Sequence, residues 1–244
     1  MKLNIMTWNT QLYEYGNIID KNKPKKPIDF IKCDEILKIV KEYLDKKENA
    51  IAVLQEIPYT SNITWKKHSI YEKILKTFKD DKYEIKFCKQ TDKQILMTVA
   101  ISLKDKIKPL DDSYFPANNK PKNRAVAIDF NGISILGIHA ENRNKNKPYL
   151  NSISGKADII LGDFNAGNYV ESENRDTFNQ MLKEHICVCN MPTKLTQSGR
   201  RTCIDHVFVR DNLVTRCSNL IVHEETKLSD HFPITFEYEA DDFY

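Results

Sequence analysis

Apolar and polar positions along this chain mark out its elements. In "KLNIMTWN", residues 2–9, Leu3, Ile5 and Thr7 share one face and Met6 and Trp8 the other. Both faces are largely apolar, which predicts a strand covered on both sides. Residues 30–47 carry Cys33, Ile36, Leu37, Val40, Tyr43 and Leu44 at helical spacing. "AIAVLQE" at 50–56 reads as a second buried strand, and residues 64–79 place Tyr71, Ile74, Leu75 and Phe78 along a second helix. "YEIKFCK" at 83–89 alternates as a half-exposed strand, and "ILMTVAISL" at 95–103 reads as a fuller one.

In "RAVAIDFNGISILGIH" two apolar runs flank Asn131-Gly132, the pair preferred in a type I′ hairpin. "ADIILGDFN" is a buried strand and 172–185 a helix, while 202–210 and 231–239 alternate as strands. Polar loops rich in Lys, Asn and Pro fill 104–124 and 141–156. No repeat or low-complexity linker divides the chain, so one domain over residues 1–244 is expected. Strands apolar on both faces, alternating with helices, predict an α/β protein with two stacked mixed sheets between helices.

Composition adds limits. With 41% hydrophobic and 29% charged residues, the 244-residue chain has an ordinary core composition. No run approaches the ~18 apolar residues of a membrane span. The N-terminus lacks an apolar leader core and already reads as a strand, so no signal peptide is expected. A formal charge of +3 with pI near 8.4 weakly favours an anionic partner. The cysteines, Cys33, Cys88, Cys187, Cys189, Cys203 and Cys217, show neither zinc-knuckle nor CxxC spacing; Cys187 and Cys189 alternate in a strand and read as small buried hydrophobes, and a reduced, cytoplasmic protein is expected.

The strand ends carry the chemistry. The first ends at Asn9, the second at Gln55-Glu56, the hairpin at His139, and the next strand at Asp163 and Asn165. Asp205 lies in "CIDHV", and Asp230-His231 opens the last strand. Buried carboxylates without partners are costly, so such groups at the tips of apolar strands imply a shared cleft. Asn9, Glu56 and Asp230 are hard oxygen donors suited to Mg²⁺, with Mn²⁺ as the alternative ion. His139 and His231 can donate to a phosphoryl oxygen or move protons. Asp205 can orient one of them, Asp163 can take a proton from water, and Asn165 can hold that water or an oxyanion. Of the other histidines, His206 reads as structural or exposed, and His68, His185 and His223 read as surface residues.

"TWN", "LQE", "GIHAEN", "LGDFNAGN", "CIDHVFV" and "SDHFPI", in this order, resemble the endonuclease/exonuclease/phosphatase superfamily, whose type member is pancreatic deoxyribonuclease. The resemblance runs from residue 7 to 234. It implies a four-layer α/β/β/α sandwich and Mg²⁺-dependent phosphoester cleavage. It implies Asn9, Glu56 and Asp230 as metal ligands, Asp163 and Asn165 on the water, Asp205 paired with His231, and His139 as the second catalytic histidine. It also implies Arg124 on the substrate phosphate and Tyr169 near DNA. The sequence departs from the deoxyribonuclease pattern at Pro58-Tyr59, where an Arg is usual, and at Met97-Thr98. His139 stands where apurinic endonucleases carry Tyr.

The expected activity is that of a nuclease, with DNA as substrate and partner and a monomer as the working state. Basic loops at 21–26, 118–124, 143–147 and 199–201 provide a positive rim for such a backbone. The rival readings are a phosphatase or phosphodiesterase of a small-molecule or lipid-headgroup phosphate, sphingomyelinase-like or inositol-phosphatase-like, and a non-enzymatic binding module. No exposed apolar hairpin is evident in the sequence, which weighs against the lipid version.

Overall fold

The computed structural model describes residues 1–19, 22, 24–78, 81–117, 121–142, 146–166, 178 and 183–241. Its first half contains β1 (Lys2–Asn9), α1 (Phe30–Asp45), β2 (Ala50–Pro58), α2 (Ser69–Thr77), β3 (Tyr83–Phe87) and β4 (Leu96–Leu103). Then come β5 (Ile107–Pro109), β6 (Ala125–Phe130), β7 (Ile133–His139), α3 (Asn146–Asn151) and β8 (Ile159–Asp163). The chain closes with β9 (His185–Cys187), β10 (Lys194–Leu195), β11 (Arg201–Thr202), β12 (Asp205–Arg210), β13 (Cys217–Val222) and β14 (Ile234–Glu239).

Two six-stranded mixed sheets result, ordered β13-β14-β1-β2-β4-β3 and β5-β6-β7-β8-β12-β9. The period of two in β1 sends Leu3 and Ile5 into the core between the sheets. Met6 and Trp8 go into a second core, beneath α1 and α2. Likewise Val207 and Val209 of β12 face the inter-sheet core, whereas Phe208 joins Phe164, Phe178 and Tyr149 in a third core on the far side. Three apolar layers therefore separate helix, sheet, sheet and outer helix, which is the four-layer α/β/β/α sandwich. The sheets approach closely at Gly137, where a Cβ would overlap Val53. Asn131 (φ 51°) and Gly132 (φ 85°) form the left-handed pair that the β6–β7 hairpin requires.

The second helix is shorter than its apolar spacing suggests. Residues 60–67 form a hairpin loop, closed by a bridge between Thr60 and Lys67, and α2 begins only at Ser69. Its start is fixed by His68, whose side chain accepts from Ile70 N. The helix expected at 172–185 lies largely outside the described residues, and His185 itself begins β9. His68 and His185 are core residues instead of surface ones, 2% and 1% exposed. Each is satisfied locally, His68 Nε2 on Tyr15 O at 2.7 Å and His185 Nε2 on Ala157 O at 2.8 Å. His206 is fully buried against Phe164, Phe178 and Phe208. No helix among the described residues is long and apolar enough to cross a membrane.

Candidate active site

Register assembles the site. Parallel pairing of β7 with β8 sets His139 beside Asp163, and antiparallel pairing of β8 with β12 sets Asp205 on the other side of Asp163. These residues thus stand abreast across adjacent strands of one sheet. The facing sheet contributes Asn9 from the end of β1, Glu56 from β2, and the turn that enters β14 with Asp230 and His231.

Local backbone features aim these groups. The β2–β4 register shifts between Leu54 and Ile57, and Glu56 within that bulge has φ 56°. A bulge re-aims a side chain at the rim of a sheet, and a carboxylate held in the left-handed region signals functional strain. Gly162, at φ 126°, lets β8 pass the Ile138 carbonyl, which a Cβ would overlap. Asn165 is also left-handed, at φ 47°, which lets its N–H cap Asp163 Oδ1 at 2.8 Å while its amide donates to Ala140 O at 3.0 Å.

At the centre, Asn9 Nδ2 donates to Asp163 Oδ2 at 2.8 Å and to Glu56 Oε1 at 3.2 Å. His139 Nε2 lies 3.5 Å from Glu56 Oε1 and 3.9 Å from Asp163 Oδ2. His231 Nδ1 meets both oxygens of Asp205 at 2.9 Å, and its Nε2 lies 3.9 Å from Asp163 Oδ2. Thr193 Oγ1 donates to Asp205 Oδ2 at 2.8 Å. Trp8 Nε1 holds the His231 carbonyl at 3.0 Å, and Ser229 Oγ ties this turn to Asn9 O at 2.8 Å.

Burial and charge set the protonation of the group. Burial, reinforced by Asp163, pushes the Glu56 carboxyl up to about 7 against the opposing influence of His231 and Asn9. Burial likewise raises Asp163. His139 is held well below its ordinary value by burial, with the Arg124 cation adding to the effect. For His231 burial opposes protonation, but Asp205 outweighs it through charge and hydrogen bond, and the imidazole rises to about 9.

Several residues sit differently from the sequence reading. Asn9 turns its amide nitrogen toward the two carboxylates, and its Oδ1 accepts from Gln11 N at 3.1 Å, so it serves as a donor between them. Asp230 faces His231 and Lys194, its Oδ1 3.5 Å from His231 Nε2. Its Oδ2 lies 3.2 Å from Lys194 Nζ, because β10 forms a bridge with His231 and carries the lysine there. Arg124 Nη1 donates to the carbonyls of His139 at 3.3 Å and Ala140 at 3.1 Å, which ties it to backbone beside the site. Tyr169 lies outside the described residues. Lys194 was missed by sequence reasoning; its Nζ is also 2.9 Å from His231 Nε2. Burial opposes its charge, but Asp230, Asp163 and Asp205 together raise its pKa. The one available signal was "PTKL" shortly before "CIDHV", too weak to place a residue.

Two groupings fit a cation by proximity. Glu56, His139 and Asp163 form one, and Asp163, Asp205 and His231 the other, with ligand atoms within 4.8 Å of one another in each. Among the described residues, the buried atoms His139 Nδ1 and Asp230 Oδ1 have no hydrogen-bond partner.

The fold is the deoxyribonuclease-I-like one. Residues 133–235 match the family model described as Endonuclease-reverse transcriptase. An endonuclease/exonuclease/phosphatase family protein from Leptotrichia buccalis is 17% identical with a TM-score of 0.65, over 98% of this chain and 100% of that one. A 3′-5′ exonuclease from Neisseria meningitidis is 16% identical with a TM-score of 0.62, over 98% and 100%. D. rerio TDP2, in complex with a single-strand DNA product, is 15% identical with a TM-score of 0.63, over 98% and 99%. At these identities the likeness is one of fold. No curated protein matches by sequence.

Proposed function

We propose that the chain is a divalent-metal-dependent phosphodiesterase that hydrolyses nucleic acid, DNA foremost. The observation that carries this reading is the meeting of Asn9, Glu56, His139, Asp163, Asp205 and His231 from separate strand ends in one buried cluster. The donor set suits Mg²⁺ or Mn²⁺: the Glu56 and Asp163 carboxylates both accept from the Asn9 amide, and burial together with the Asp163 charge pushes Glu56 up. Glu56, with Asp163 and His139 alongside, would hold the ion. When bound, it polarises phosphoryl oxygens and neutralises developing charge.

The chain's own groups divide the remaining work. Asp163, raised by burial and oriented by Asn9 and Asn165, takes a proton from the attacking water. His231, oriented by Asp205, donates from Nε2 to the phosphoryl group or the leaving oxygen. Lys194 donates to His231 Nε2 while the imidazole is neutral. Once the imidazole is protonated both groups are donors, and a phosphoryl oxygen accepts from both.

A small-molecule or lipid-headgroup phosphoester is the second reading. Pro58 and Tyr59 follow Glu56, and Tyr59 is buried at 3% exposure, so no basic side chain reaches a DNA groove from this point. Supercoiled DNA, RNA and bis-p-nitrophenyl phosphate, each with Mg²⁺ or EDTA, separate the readings. Mg²⁺-dependent DNA cleavage is expected, and turnover of the small diester alone contradicts the nuclease assignment.

A further inference from the structure

Two loops beside the Glu56 end of β2 carry a surface that the reaction does not use. The chain leaves β2 at Pro58 and folds back at once. Ser61 N donates to Lys66 O at 3.0 Å and His68 N to Tyr59 O at 2.9 Å, so residues 60–67 form a hairpin whose tip bears Ile63 and Trp65. These side chains are 40% and 52% exposed. Trp65 has φ 53°, a left-handed conformation unfavourable for a bulky residue, and its N–H is held by Ser61 O at 2.8 Å. An exposed aromatic kept in a strained backbone points to use of the side chain.

The loop after Asn17 is fastened to this hairpin. Asn62 Oδ1 accepts from Ile18 N at 2.9 Å, Asn62 Nδ2 donates to Ile18 O at 2.7 Å, and Asn62 N donates to Asn17 Oδ1 at 3.0 Å. Buried His68 pins the base through Tyr15 O. Ile28 and Ile63 line one cavity, and exposed Ile18 and Trp65 sit on the two loops that border it. A cavity of about 530 Å³ opens between the loops, lined by Ile28, Ile63, Lys25, Lys26, Lys66 and Lys67 among others. Lys26 pairs with Glu14, whereas exposed Lys25, Lys66 and Lys67 have no ion pair among the described residues.

The chemistry of the face selects its partner. Three of the four apolar side chains are branched aliphatics with no ring to stack on bases, and the Trp65 ring is already faced by Lys93 Nζ at 5.7 Å, which weighs against a single-stranded nucleic acid. Lysine is depleted in protein–protein interfaces, which weighs against a protein. Apolar tips with one Trp, ringed by lysines whose stems are apolar and whose heads are charged, match the boundary between headgroup and acyl chain. We propose that Ile18, Ile28, Ile63 and Trp65 dock the protein onto an anionic lipid bilayer, with Lys25, Lys66 and Lys67 meeting headgroup phosphates. The hairpin is the exposed apolar element that the sequence reading did not find. Docking does not depend on which phosphoester the site cleaves.

The chain provides its own probe, because its other tryptophan, Trp8, is only 1% exposed. Emission is followed while the protein is titrated with phosphatidylcholine vesicles, with the same vesicles containing phosphatidylglycerol, or with a single-stranded oligonucleotide. With phosphatidylglycerol present, the emission is expected to move to the blue and to be quenched by brominated lipid. The W65F protein is expected to lose that response, since Trp8 stays in the core. K66Q/K67Q is expected to partition about thirtyfold more weakly, at about 1 kcal/mol per lysine. Both variants are expected to keep wild-type circular dichroism and hydrolysis of a soluble diester. No response to anionic vesicles, an equal response to neutral ones, or a response to the oligonucleotide alone overturns the proposal, the last by assigning the face to nucleic acid.

Discussion

Lys194 Nζ lies 2.9 Å from Nε2 of His231, on the side of the imidazole opposite Asp205. The ring is therefore held between a carboxylate at one nitrogen and an ammonium at the other. Replacing the lysine by methionine keeps the length of the side chain and removes the charge. K194M is expected to lower kcat about a hundredfold, the usual effect of removing one donor to a developing oxyanion. K194R is expected to recover part of that loss. Steady-state kinetics on one diester checks this, and a wild-type kcat for K194M would place Lys194 away from the reacting phosphate.

The alkaline limb of the pH–rate profile reports on Asp205. His231 is raised to about 9 chiefly because Asp205 outweighs burial. D205N keeps the shape but removes that charge. The limb is expected to fall from near 9 toward or below the ordinary histidine value of 6.5. An unmoved limb would mean that another group sets it.

Stability without metal depends on pH in a definite direction. Glu56 titrates at about 7 in the fold against an ordinary 4.5, so the folded protein binds more protons than the unfolded chain between those values. His231, raised from 6.5 to about 9, acts in the same sense at higher pH. Both contributions are full below the lower value and are lost as pH rises through the upper one. The buried histidines held below their ordinary value, His139 and His206 among them, act in the opposite sense below 6.5, so the melting temperature in EDTA is expected to decline from about pH 6.5 to about pH 9. The Glu56 part is on the order of 3 kcal/mol. E56Q is expected to flatten the lower part of the decline and to weaken stabilisation by Mg²⁺ at pH 8. Thermal melts of both proteins across pH, with and without Mg²⁺, decide the point.

Gly162 is required by its backbone and not by its chemistry. At φ 126°, with the Ile138 carbonyl where a Cβ would sit, alanine forces β7 and β8 apart. G162A is expected to destabilise by ~2 kcal/mol or more. It also displaces Asp163, the next residue, so activity should fall further than the unfolded fraction explains. Urea denaturation with parallel activity measurements tests this, and a wild-type midpoint would contradict it.

The strands were legible because burial on both faces leaves a continuous apolar run that polar residues end abruptly. That contrast exposed Asn9, Glu56, His139, Asp163 and Asp205 without any knowledge of distance. What the sequence could not show arises from non-local contacts. The bulge that turns Glu56 exists only in the pairing of β2 with β4. Lys194 reaches the site because Phe232 N donates to Thr193 O and Leu195 N to Asp230 O, both at 2.7 Å, which stitches β10 to a turn far along the chain. The same stitching gives Asp230 a lysine partner. His68 and His185 looked like surface residues because their neighbours in sequence are polar; their neighbours in space are carbonyls and core.

Asp163 stands at the centre of the account, touching Asn9, Asn165 and the neighbourhood of both histidines. The most direct measurement is the initial rate of Mg²⁺-dependent cleavage of supercoiled DNA by wild type and D163N, with circular dichroism and Mn²⁺ titration calorimetry on the same preparations. The account predicts that D163N folds, still binds Mn²⁺ through Glu56, and cleaves at least about a hundredfold more slowly. A folded D163N protein that cuts DNA at the wild-type rate would contradict it.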